Sequence, residues 1–129
     1  AMQDYNKQYR NACLLAMKNV NNNLACADDY LMVARSLMKT QNTPESNAEC
    51  LLYLDKADLV SKVEDVNITK MRILLMLREN MTINAVDMIK KYQSQLDVMY
   101  QQPHTEEDAE WIAAECLWAE KLLERMYLN

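Results

Sequence analysis

The 129-residue chain contains no glycine. Glycine lets a backbone reach positive φ and approach a ligand closely, so its absence removes the Gly-rich phosphate loop, the nucleophile elbow and the tight glycine hairpin turn. Pro44 and Pro103 are the only prolines. Helix formers dominate, strand-like alternation is missing, and 50% of the residues are apolar against 26% charged, the balance of a packed globular chain. These features predict an all-α fold of about six antiparallel helices, read as one domain over residues 1–129 and as a piece of a longer protein.

Start and stop signals place the predicted helices at about 4–20, 24–41, 44–62, 65–79, 82–100 and after Thr105. Without glycine, asparagine is the remaining residue that enters the left-handed region cheaply, so Asn21-Asn22-Asn23, Asn42 and Asn80 are the expected helix stops. Thr43-Pro44-Glu45 offers a cap followed by proline at the first helical position, with Ser46 and Glu49 as an alternative capping box three residues later. Thr105 caps the last helix, and Glu106-Glu107-Asp108 set negative charge at the positive end of its dipole. The run Ile73-Leu74-Leu75-Met76-Leu77 covers more than one helical face and predicts a helix buried on several sides, at the centre of the core. The last helix carries Trp111, Ile112, Cys116, Leu117, Trp118, Leu122, Leu123 and Met126, an apolar surface wide enough to leave part of itself exposed.

The net charge of −5 is local: residues 1–102 balance twelve basic against twelve acidic side chains, and the excess lies in residues 103–129. No basic stripe of the kind that grips a phosphate backbone is visible, so no direct nucleic-acid partner is expected. The acidic end reads first as a solvated helix face and second as a surface for a basic partner. Cys13, Cys26, Cys50 and Cys116 each have apolar neighbours and follow no signal peptide, which predicts reduced core thiols and an intracellular place, cytoplasm or nucleus. With a single histidine, His104, and no CxxC, no metal or cofactor is expected. No apolar run approaches the length of a bilayer span. His104 follows Pro103 in a loop, and adjacent carboxylates such as Asp28-Asp29 diverge around a helix, so no enzyme activity is expected.

Short links between helices of 15 to 20 residues require antiparallel neighbours, in a solenoid or in a compact helical bundle. Tyr30, Val33, Ala34 and Leu37, followed by Cys50, Leu54 and Ala57, set large and small residues at intervals of three and four. The small ones allow close helix approach while the large ones fill the gaps. This segment, about residues 26–60, resembles a tetratricopeptide (TPR) repeat. The pattern then departs: Tyr92 stands where alanine is usual, and Glu115 at the small position of the Trp111–Trp118 frame. The stretch from Val66 to Tyr92 resembles the divergent repeats of the SPO22/ZIP4 meiotic scaffold family.

The resemblance implies a TPR-like helical-hairpin solenoid acting as a non-catalytic scaffold that holds a segment of a partner protein. Its concave surface would be lined by the first helix of each hairpin, exposing Asp28, Arg35, Lys39, Asn67, Lys70 and Arg78. Four of these six are basic, which points to an acidic peptide ligand. The open apolar ends, Ala12 to Met17 and Leu117 to Leu128, support the alternative of a structural segment that self-associates into homo-oligomers.

Overall fold

A computed structural model describes residues 2–128, with side chains from 4 to 127. Six helices follow one another: α1 Met2–Asn21, α2 Ala27–Thr40, α3 Pro44–Val60, α4 Val66–Arg78, α5 Thr82–Gln101 and α6 Glu106–Leu128. No strand occurs among the described residues, and no helix is long and apolar enough to cross a membrane. The chain divides into two compact units, Ala1–Met71 and Arg72–Asn129, with the boundary inside α4.

In the first unit α2 packs against both α1 and α3. The α2–α3 crossing is made where side chains are smallest: Ala34 and Cys50 are wholly buried, and the Cys50 thiol lies 3.6 Å from the Ala34 carbonyl oxygen. Leu54 and Ala57 complete the buried face of α3. On the other side Ala16 is buried, the Asn19 amide donates to the Asp29 carboxylate at 3.2 Å, and the Lys39 ammonium stands 4.2 Å from the Tyr9 ring centroid.

The helix ends show how a chain without glycine turns. Asn23 has φ 58°, its N–H donates to the Val20 carbonyl at 3.2 Å, and the Leu24 N–H reaches back to Asn19 at 2.8 Å. Asn80 repeats this at the end of α4, with φ 56° and bonds from Asn80 N to Leu77 O and from Met81 N to Met76 O. Both are six-to-one Schellman stops with asparagine at the left-handed position. Asn42 departs from expectation. The backbone leaves α2 through extended Gln41, so no left-handed residue is needed, and the Asn42 side chain instead accepts from the Asn47 amide at 3.2 Å. Helix α2 begins at Ala27, three residues later than predicted, because the Asp29 carboxylate accepts from the Cys26 N–H at 3.0 Å and fixes the first turn there.

Helix α3 starts at Pro44 with Thr43 as cap. The Thr43 hydroxyl accepts from the Ser46 N–H at 3.0 Å and the Ser46 hydroxyl accepts from the Thr43 N–H at 2.9 Å, so the alternative start at Ser46 does not form. From Ile68 to Arg78 every side chain of α4 is buried or half-buried, as its unbroken apolar run demands.

In the second unit α5 and α6 pack together as a helical hairpin. Ala85, Ile89, Tyr92 and Leu96 form the wholly buried face of α5, and Ile112 and Ala119 are buried on α6. The Tyr92 hydroxyl donates to the Glu115 carboxylate at 2.7 Å, and its ring meets Trp118 edge-on, centroids 5.9 Å apart. The two residues that break the small-residue pattern thus answer each other: a large phenol crosses the interface and its hydroxyl finds a charged acceptor. Thr105 caps α6, its hydroxyl accepting from the Asp108 N–H at 3.0 Å.

The expectation of four core thiols needs correction. None of the four is in a disulfide, but only Cys50 is buried; Cys13 is half-buried, and Cys26 and Cys116 are exposed. Apolar neighbours in sequence lie on different faces of a helix, so they do not determine the face a given cysteine occupies.

Candidate functional site

A groove of about 620 Å³ runs along the α5–α6 hairpin. One wall is Lys90, Gln93, Ser94, Asp97 and Tyr100 of α5, and the other is Ala109, Ile112, Ala113 and Cys116 of α6. Residues at intervals of three and four share one helical face, so each wall is a single stripe. The groove exists because α6 presents Ala109 and Ala113 where longer side chains would close the space. Leu96 and Ile112, both buried, form its apolar floor.

A second α6 stripe adjoins the groove on its outer side. Glu106, Glu110, Glu120 and Glu124 are all exposed, and their spacing sets them on one face together with Leu117, which is 51% exposed. The opposite rim is mixed in sign, with Lys90 and Lys91 near Asp87. Although Cys116 is exposed as a residue, partial desolvation of its thiol, and then the Asp97 and Glu115 carboxylates, push it above its ordinary pKa, so its thiolate is scarce near neutral pH. The groove thus combines an apolar floor, small side chains that permit close approach, and charge along one rim.

A smaller cavity of about 130 Å³ opens in the first unit among Cys13, Met17, Val33, Leu37, Glu49 and Tyr53. Burial and the adjacent Glu49 carboxylate raise the Tyr53 phenol. Among the described residues no group of three His, Cys, Asp or Glu side chains is placed to hold a metal ion. His104 is exposed, its Nδ1 lying 2.8 Å from the Gln102 carbonyl oxygen and its ring beside Tyr100.

Of the six residues expected to bind a partner, Asp28, Arg35 and Lys39 are exposed on α2. Arg35 and Lys39 come together at one place, the Tyr9 phenol of α1: Lys39 stands over the ring, and the positive charge of Arg35 acts on the hydroxyl, opposing the rise that burial causes. Asn67 is exposed at the start of α4, its N–H donating to the Asp65 carboxylate at 2.8 Å. Lys70 is half-buried in the same unit, and Arg78 is half-buried in the other. Sequence reasoning did not single out the groove. The signal is present in Ala109, Ala113 and Cys116 at four- and three-residue spacing beside the glutamate stripe, whereas the acids alone point first to a helix start and a solvated face and second to a basic partner, and none of these locates a groove. Compared with known protein families, curated proteins and solved structures, the chain matches none of them.

Proposed function

We propose that this chain is a non-catalytic helical scaffold module, whose groove along α5–α6 receives a helix of another polypeptide. The observation that carries the reading is the groove itself, an open channel with an apolar floor and small-residue wall on folded helices. An amphipathic helix laid in such a channel buries its apolar face. The layered order in the first unit, with α2 flanked by α1 and α3, and the close Ala34–Cys50 crossing support a TPR-like hairpin arrangement.

A second surface is favoured by the cationic pair Arg35 and Lys39, which would take an acidic peptide. The test immobilises the chain beside two variants, Ala113→Trp, which fills the groove from an exposed position, and Arg35→Glu/Lys39→Glu. A lysate protein retained by the native chain and lost only with Ala113→Trp supports the groove. Loss only with the charge variant moves the site to α2. Capture unaffected by either refutes both assignments.

A further inference from the structure

Resting on the groove reading, we infer that its occupant is helix α1 of a second copy of this chain, so that copies join through two different surfaces. The argument begins on α1. Tyr9, Cys13, Ala16 and Val20 lie on its α2-facing side and are buried or half-buried. The opposite side is Lys7, Asn11, Leu14 and Lys18, with Arg10 and Leu15 beside them, all exposed. Leu14 and Leu15 are 70% and 59% exposed. The outward face of α1 is therefore a basic amphipathic helix: two leucines between cations, with Asp4 the only acid in the helix.

The groove and its rim are the counterpart. They provide an apolar floor at Leu96 and Ile112, close approach at Ala109 and Ala113, exposed Leu117, and the stripe Glu106, Glu110, Glu120 and Glu124. The spacings agree. At 1.5 Å per residue, Lys7 and Lys18 stand about 16 Å apart along α1, and Glu110 and Glu120 about 15 Å apart along α6. A parallel docking pairs both ends at once with Leu14 against the apolar strip between the acids. The resemblance in charge is not shared by α2, whose exposed face mixes Asp28 with Arg35 and Lys39.

The experiment is sedimentation of the 129-residue chain over concentrations reaching the millimolar range, at low and high ionic strength. The wild type is expected to gain mass with concentration and to lose it with salt. Lys7→Glu/Lys18→Glu and Glu110→Lys/Glu120→Lys, each with unchanged helical circular dichroism, are expected to weaken association at least tenfold. Mixing the two variants restores it, since each then offers the charge the other needs. Ala113→Trp, with its neutral blockade, weakens it equally. A wild type that stays monomeric throughout, or association indifferent to all three variants, overturns the inference. A monomeric chain whose groove still captures a protein lost with Ala113→Trp overturns the inference alone; capture indifferent to Ala113→Trp removes the groove reading with it.

Discussion

The bond between Tyr92 and Glu115 permits a quantitative test of how α5 and α6 are held. Tyr92→Phe keeps the ring against Trp118 and deletes one oxygen, removing a 2.7 Å hydrogen bond to a carboxylate. A bond to a charged partner contributes about 1.5–3 kcal/mol, and because Glu115 is half-buried water recovers part of it, leaving an expected loss of about 1–2 kcal/mol. The assay is urea unfolding followed by tryptophan fluorescence. Trp111 and Trp118 are the only tryptophans and both lie in α6, so the signal reports the Arg72–Asn129 unit. With a slope near 2 kcal/mol/M the midpoint falls by about 0.5–1 M. Glu115→Gln and the double variant complete a cycle, and a coupling near zero, or a Tyr92→Phe chain as stable as the wild type, refutes the reasoning.

The same bond sets a pH dependence. Burial, the hydrogen bond to Glu115 and the negative charge nearby hold the Tyr92 phenol far above its ordinary value. The folded state therefore keeps a proton that the unfolded chain releases above about pH 10. Stability from this group is complete below that pH and declines as pH rises beyond it. Tyr92→Phe should flatten the alkaline decline in part, leaving the contribution of Tyr9 and Tyr53, whose phenols burial also raises.

Two further outcomes follow from local geometry. Asn80→Ala places a side chain without local hydrogen bonding at φ 56° and should cost about 0.5–1 kcal/mol, whereas Asn80→Gly should leave the urea midpoint unchanged or raise it; equal effects of the two would refute the left-handed cap. Under a thiol reagent in native buffer, Cys26 should react and buried Cys50 should wait for unfolding. Cys116, exposed but with its pKa raised, should react slowly near neutrality and faster as pH rises, which mass spectrometry of modified peptides resolves.

Much of the local structure was legible. Six helices, the Thr43 and Thr105 caps, the asparagine stops before residues 24 and 81 and the buried run in α4 all depend on contacts a few residues apart, which sequence spacing encodes directly. Asn42 and the late start of α2 were missed because an extended Gln41 and the Asp29–Cys26 bond offered alternatives that composition does not rank. The cysteines were misread for a related reason: neighbours in sequence do not share a helical face.

By itself, then, the sequence determined an all-α chain with asparagine doing the work of glycine, a close α2–α3 crossing at Ala34 and Cys50, and an acidic last helix. Only the tertiary structure decided which faces meet and which are left over. Pairing Tyr92 with Glu115 turned two pattern-breaking residues into an interface bond, and bringing α5 beside α6 opened a groove that neither helix has alone. The physical reason is that local hydrogen bonding and helix propensity act within a turn, whereas a groove is a space between helices, created where Ala109 and Ala113 are too small to fill it.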